Sequence, residues 1–179
     1  EQEVLTNGVN TLRRWINKAS ASIVYDSKIN HFTHESLFKS IEGHPNIAVI
    51  GFTTDGDVFG GYYSIAVTKQ EEFFYDPNIF VFSFESHGRC VTPQPFVLNN
   101  RTKKNANVVL KKNDSSGFIR FDVYGTCSLW LGNEKSRSHC WNMSWGFEGL
   151  KDTTLSGKNG TCDKGPYHHC TRLVAVQLQ

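Results

Sequence analysis

IAVIGFTTDGDVFGGYY, which occupies residues 47–63, is the stretch of sequence that does most to decide the fold. Two runs of β-branched and aromatic residues flank Asp55-Gly56, and both residue types favour extended strands. Asp-Gly between two such runs is a strong hairpin signal, because both residues tolerate a positive φ. Gly60-Gly61 lies inside the second run, where glycine indicates close packing of the backbone. The segment therefore predicts an antiparallel β-hairpin.

Two helices are expected before this hairpin. Apolar residues at spacings of three and four predict a helix over 3–20, although Asn7-Gly8 would weaken its first turn and delay its start to Asn10 or Thr11. A second helix is expected over 34–42, capped by Thr33 and ended by Gly43.

Strands dominate the rest of the chain. They are expected over 79–84, 108–110, 118–124, 128–131 and 173–178, with long loops over 132–170. The pattern predicts an α+β fold that is mainly β, a sandwich of two antiparallel sheets flanked by short helices. Residues on the apolar strand faces should be buried, namely Phe59, Phe80, Phe82, Phe121, Leu129, Leu131, Val174 and Val176.

Composition narrows the class of protein. The chain has 179 residues, enough for one domain, and a net charge of +2, which by itself points to no nucleic-acid or membrane partner. No apolar run reaches the roughly 18–20 residues of a membrane span, so no membrane insertion is expected. Five cysteines are an odd number, which argues against a fully paired disulfide framework and favours a cytoplasmic or nuclear location.

The cysteines and histidines are the first candidates for chemistry. Cys162, His168, His169 and Cys170, with Cys140, carry zinc-ligand atoms, but they form no Cys-x-x-Cys pair, and adjacent histidines on an extended chain point opposite ways. A disulfide such as Cys162 with Cys170, or a chance cluster, fits the spacing better. No metal and no cofactor are predicted. A cysteine nucleophile would need a nearby base and a lowered pKa, which His139-Cys140 does not guarantee.

A basic cluster is the second candidate. Its members are expected around one hairpin, where they could contact nucleic-acid phosphates or simply form a solvated edge that resists aggregation. The residues are Arg101, Lys103, Lys104, Lys111 and Lys112.

The order of these segments resembles the TLDc family of the oxidation-resistance type. The resemblance rests on a segment from Ile23-Val24-Tyr25-Asp26-Ser27 to Leu37-Phe38-Lys39, interpreted as helix-led, on the 55–62 hairpin, and on a Phe-x-Phe strand at the end of 76–84. It continues with Leu129-Trp130-Leu131 after Gly125, with Ser138 and Cys140, and with Thr154-Leu155-Ser156. It divides the chain into an N-terminal helix over 1–20, interpreted as a lead-in from a longer chain, and a TLDc domain over 21–179.

The resemblance also sets the functional expectation. It implies a protein-interaction module without enzymatic activity that acts in the oxidative-stress response and binds the peripheral part of the vacuolar proton pump. Two alternatives stay open at this point, a DNA-binding stress-response regulator that uses the basic cluster and a thiol-dependent antioxidant enzyme. Partner contacts are expected on the loops around 53–57, 73–78 and 132–140, since loops on a rigid scaffold usually carry recognition. The candidate residues are Asp55, Asp57, Asp76, Asn133 and Ser138.

Overall fold

The computed structural model describes residues 1–179 as two antiparallel sheets with three helices. The helices are α1 (Gln2–Ile16), α2 (His34–Ile41) and α3 (Met143–Gly146). The strands are β1 (Ala21–Asp26), β2 (Ile47–Thr53), β3 (Val58–Tyr63), β4 (Phe74–Tyr75), β5 (Phe80–Glu85), β6 (Gln94–Val97), β7 (Ala106–Leu110), β8 (Ile119–Val123), β9 (Cys127–Leu131), β10 (Cys140–Trp141) and β11 (Cys170–Leu178). The predicted α+β class, mainly β, is confirmed.

The strands form a six-stranded and a five-stranded sheet. The order is β1-β11-β2-β3-β5-β6 in the six-stranded sheet and β10-β9-β8-β7-β4 in the five-stranded sheet. The predicted hairpin lies at the centre of the six-stranded sheet, paired from Ile47 with Tyr63 to Phe52 with Val58. In its turn only Gly56 takes a positive φ, at 84°.

Gly60 explains why this hairpin needs glycine in its second strand. A Cβ atom on Gly60 would lie 1.9 Å from the backbone oxygen of Val49 on the neighbouring strand. No side chain could occupy that space without moving β2 and β3 apart. The close packing expected from the Gly-Gly pair is therefore confirmed at this position.

The main core lies between the two sheets. It contains 30 buried residues. Alternate side chains of each strand point to the same face, so the strands contribute alternate residues to this core. Phe59, Phe121, Leu129 and Leu131 belong to it, as predicted.

A second core lies on the opposite face of the six-stranded sheet, under α1. It contains 13 buried residues, among them four of those predicted to be buried: Phe80, Phe82, Val174 and Val176. Leu5 and Leu12 of α1 cover this face and are fully buried. The predicted delay of the helix start is wrong, since α1 begins at Gln2 and runs through Gly8. Gly8 is kept in the helix by packing, since a Cβ atom there would lie 2.4 Å from the Phe84 ring.

Two other details of the sequence interpretation need correction. The segment from Ile23 to Asp26, interpreted as helix-led, lies in strand β1, because it pairs with β11 along the sheet edge. The expected loops over 132–170 contain β10, which pairs with β9, and the short helix α3.

Helix α2 forms as predicted, with the Thr33 hydroxyl accepting a hydrogen bond from the Ser36 N–H. None of the helices has the length and apolarity that crossing a membrane would require.

Candidate functional site

The turn of the central hairpin is held by contacts to one buried carboxylate, that of Asp57. Asp57 is only 2% exposed, yet its carboxylate contacts Arg89 at 2.6 Å and the His87 ring at 2.8 Å. Arg89 also donates hydrogen bonds to the backbone oxygens of Thr154 and Leu155. The hairpin, the loop after β5 and the Thr-Leu-Ser loop are therefore fixed to one another.

Two more contacts bring the segment after β9 to the same place. Lys158 pairs with Asp55 at 2.7 Å, and the Thr54 N–H donates to the backbone oxygen of His169. The His169 ring in turn lies 3.1 Å from the backbone oxygen of Glu134. We call this surface, formed by residues 53–57, 132–136 and 154–158, the hairpin end.

The five candidate contact residues separate into two groups. Asp57, Asp76 and Ser138 are almost fully buried, and Asp76 lies at the opposite end of β3, where it accepts hydrogen bonds from the Ser64 backbone and hydroxyl. Asp55, with a half-exposed side chain, and the partly buried Asn133 both lie at the hairpin end. The structure thus brings only these two to one accessible surface.

The basic cluster is not gathered around one hairpin as expected. Arg101, Lys103 and Lys104 precede β7, whereas Lys111 and Lys112 follow it. Five residues of strand, roughly 17 Å, separate the two groups. The first group has its arginine stacked on Trp145, with 4.2 Å from guanidinium carbon to ring centre, and the second has Lys111 paired with Glu71 at 2.6 Å. A single phosphate-binding patch is not formed by these five side chains.

The cysteines are all unpaired, and three of them lie in the inter-sheet core. Cys140 lies 3.9 Å from His168, the one thiol–imidazole pair in the chain, but both side chains are fully buried. Burial raises the pKa of Cys140 to about 12 and lowers the pKa of His168 to about 3. Both shifts favour neutral forms, so this pair is poorly suited to provide the thiolate that peroxide chemistry needs.

The zinc-type donors are likewise dispersed. Cys170 is buried in the core, whereas Cys162 is half-buried on the outer side of the five-stranded sheet, so the disulfide considered between them does not form. His168 and His169 point to opposite sides of the extended chain, as expected of neighbours. No group of three or more His, Cys, Asp or Glu side chains has the geometry to hold a metal ion.

Comparison with known protein families identifies the family of this chain. Residues 3–159 match the model of the family described as TLDc domain, which is most of the 179-residue chain. The chain belongs to the TLDc domain family. The resemblance seen in the sequence is confirmed, and the match includes α1 as well as the central hairpin. Comparison with curated proteins gives no match.

The TLDc domain also carries a cleft that sequence reasoning missed, on the outer face of the five-stranded sheet. We call it the arginine cleft. It has a volume of about 550 Å³, and Arg120 and Asp122 of β8 lie on its floor. The remaining lining residues are Phe73, Tyr124, Gly125, Ser128, Trp130, His139, Trp141, Thr161, Cys162 and Asp163.

The alternation of β8 was the signal that could have revealed this cleft. Ile119, Phe121 and Val123 point into the core, so Arg120 and Asp122 must point outward. Charged residues at the outward positions normally indicate a solvated face. Here both side chains are largely buried instead, at 17% and 12% exposure, and the rings of Phe73 and Trp130 flank the Arg120 guanidinium.

Proposed function

We propose that this TLDc domain is a protein-interaction module of the oxidative-stress response without enzymatic activity, and that it binds the peripheral part of the vacuolar proton pump. The observation that carries the proposal is the hairpin end. The Asp55–Lys158 pair and the contacts of Arg89 join the hairpin turn to the Thr-Leu-Ser loop, and His169 links the turn to the 132–136 loop. Such bracing presents a preformed surface, which reduces the ordering cost of binding. Loops on a rigid sandwich are common recognition sites.

Membership of the family supports a module of the oxidation-resistance type. The pump as partner comes from the family resemblance, and Asp55 and Asn133 are the contact residues we propose. The buried thiols with raised pKa speak against the alternative of a thiol-dependent enzyme. The two separated basic groups weaken the alternative of a DNA-binding regulator.

The proposal is tested by capture of the purified peripheral part of the pump on the immobilised chain. Asp55→Lys combined with Asn133→Lys should reduce capture by about tenfold or more, because it places two cations in the proposed interface. The matched control is Lys103→Glu combined with Lys104→Glu, which also changes two surface charges and should leave capture unchanged. Equal thermal stability of both variants would exclude misfolding as the cause.

The same material separates the proposal from DNA binding. A contact that uses 6–10 phosphates should lose affinity by about 10³–10⁵-fold between about 50 and 200 mM salt, whereas a shape-matched protein interface should change far less. Capture of the pump at the higher salt supports the proposal. Salt-sensitive duplex binding that is lost in the lysine variant, with no capture of the pump, would replace it with the DNA-binding function.

A further inference from the structure

The outer face of the five-stranded sheet is covered by no helix, unlike the outer face of the six-stranded sheet under α1. Arg120 lies on this face between two aromatic rings, 5.2 Å from the centre of Phe73 and 5.1 Å from that of Trp130. Its Nε atom is buried without a hydrogen-bond partner. The nearest carboxylate, that of Asp122, is 3.7 Å away, beyond hydrogen-bonding distance. The guanidinium is therefore flanked by two rings, and none of its N–H groups donates a hydrogen bond within the chain.

Two further polar atoms on the same face are also buried and unpartnered, Trp130 Nε1 and Asn107 Oδ1. Strand pairing explains why these groups are neighbours: Arg120 lies opposite Trp130, and Asn107 lies opposite Asp122. Three of the eight buried unpartnered side-chain atoms of the chain thus lie on one sheet face. Buried polar groups are nearly always hydrogen-bonded in native proteins, so this concentration points to an occupant.

We propose that the arginine cleft binds an acidic side chain of a protein partner, with the carboxylate on Arg120 and the apolar residues beside it on the aromatic rim. This inference rests on the proposed function in one respect, that the occupant belongs to a protein partner. The rim offers large exposed rings to such a segment, since Phe73 is 55% and Tyr124 is 66% exposed. Arginine, tryptophan and tyrosine are also the residue types that dominate binding energy at protein interfaces.

The charge of the occupant follows from an asymmetry between the two residues on the floor. Arg120 cannot lose its proton, whereas Asp122 can gain one. Burial raises the pKa of the Asp122 carboxyl, and Arg120 offsets this only in part. A second carboxylate would therefore be opposed less by Asp122 than by an ordinary aspartate, whereas an incoming cation would meet a permanent positive charge. The other groups at the cleft change this little: Asp163 is exposed to solvent, and burial lowers the pKa of His139, which keeps its ring neutral.

The position of the cleft agrees with the proposed function. His139, on its floor beside Trp130, ends the loop that begins with Asn133 at the hairpin end. The 132–140 loop therefore borders both surfaces, and one partner could contact them together. Arg120 can offer a fork of two N–H donors to a carboxylate, a geometry that confers specificity.

The test uses three synthetic peptides as probes: acetyl-Phe-Glu-Phe-amide and its versions with Gln or Lys at the centre. Binding to the isotope-labelled full chain is followed by NMR. The Glu peptide should shift the Trp130 indole N–H and the amides of Ser128 and Trp141. It should bind about tenfold more tightly than the Gln peptide, since a charge-assisted hydrogen bond is roughly twice as strong as a neutral one, and the Lys peptide should not bind. Equal binding of the Glu and Gln peptides to the unsubstituted chain would overturn the inference. NMR shifts confined to residues outside the cleft would do the same.

Substitution of Arg120 tests whether its charge determines the preference for the Glu peptide. Arg120→Met keeps a long side chain between the two rings and removes the charge, so it should abolish the preference for the Glu peptide. Arg101→Met is the matched control, because Arg101 is also stacked on a tryptophan but lies outside the cleft. If Arg120→Met folds poorly, Arg120→Lys keeps the charge and loses the fork, and should still weaken binding of the Glu peptide.

The outcome for the pump distinguishes this inference from the proposed function. Weaker capture of the pump by Arg120→Met, and not by Arg101→Met, supports both. Normal capture by Arg120→Met together with no binding of the Glu peptide overturns the inference and leaves the proposed function standing. Selective binding of the Glu peptide by a chain that does not capture the pump supports the cleft and contradicts the pump as partner.

Discussion

Asp26 and Arg172 form the best-defined buried ion pair of the domain. Two hydrogen bonds, of 3.0 and 2.6 Å, join the guanidinium to the carboxylate, and each side chain is 7% exposed. The pair fixes the end of β1 to β11 at the edge of the six-stranded sheet. The hydrogen bonds from Arg172 lower the pKa of Asp26, although burial opposes this.

This pair should make stability depend on acidity. Because the folded-state pKa of Asp26 lies below its unfolded value of about 3.9, the stabilisation is fully present above that value and is lost as the pH falls through the folded-state pKa. Asp26→Asn should therefore cost about 3–5 kcal/mol of unfolding free energy near neutral pH, since Arg172 stays buried with only Glu1 nearby, at 3.4 Å. It should also flatten the decline of stability in acid. Urea unfolding at a series of pH values measures both.

The control for this prediction is Glu35→Gln. Glu35 also pairs with a cation, Lys39, but both side chains are about two-thirds exposed, so the loss of this pair should change stability far less than Asp26→Asn does. An unchanged acid dependence in Asp26→Asn would show that the pair does not govern acid unfolding.

At the scale of elements, α1 shows where sequence patterns are sufficient and where they fail. The apolar stripe correctly predicted a helix, and Leu5 and Leu12 are buried as its spacing requires. The position of its start was wrong, because glycine at residue 8 lowers helix propensity locally while tertiary packing requires it. The ring of Phe84 occupies the space where a side chain of residue 8 would be. Local propensity cannot report a contact with a strand more than 70 residues later in the sequence.

This contact predicts an unusual response to alanine. Gly8→Ala should improve helix propensity by about 1 kcal/mol, yet overpacking against Phe84 should cost about 1–3 kcal/mol, so the protein should be less stable or no better. Asn7→Ala, one residue earlier and exposed, is the matched control and should be neutral or stabilising. Gly8→Ala combined with Phe84→Leu should recover part of the loss if the ring is the cause. A clear gain of stability from Gly8→Ala alone would contradict the packing account.

At the scale of the whole molecule, alternation along strands predicted the sandwich but not its surfaces. The apolar strand faces are buried either between the two sheets or under α1. Which loops meet depends on strand order, and the order β1-β11-β2 brings His169, just before β11, beside the hairpin turn over a hundred residues away. The burial of Asp57 and Asp76 could not be predicted for the same reason. An aspartate next to a turn has the same local sequence whether its carboxylate is buried or exposed to solvent. The alternation of β8 indicates that Arg120 points outward, but only the pairing of β8 with β9 places it opposite Trp130 in the arginine cleft.

The distribution of thiols over the whole fold makes a last prediction about reactivity. Cys127, Cys140 and Cys170 are fully buried, and burial raises the pKa of each to about 12. Cys90 and Cys162 are only half-buried. Because the thiolate is the reactive form, the folded protein should be alkylated by iodoacetamide at Cys90 and Cys162 alone.

Mass mapping after a short exposure should then find two modified sites in the folded protein and five in urea. The three core thiols would react only through unfolding, so any substitution that destabilises the fold, such as Asp26→Asn, should speed their modification and leave the rates at the two half-buried sites almost unchanged. Rapid alkylation of Cys140 in the folded protein would be the contrary result. It would mean that its environment supports a thiolate after all, and the thiol-dependent enzyme would then become the function to test first.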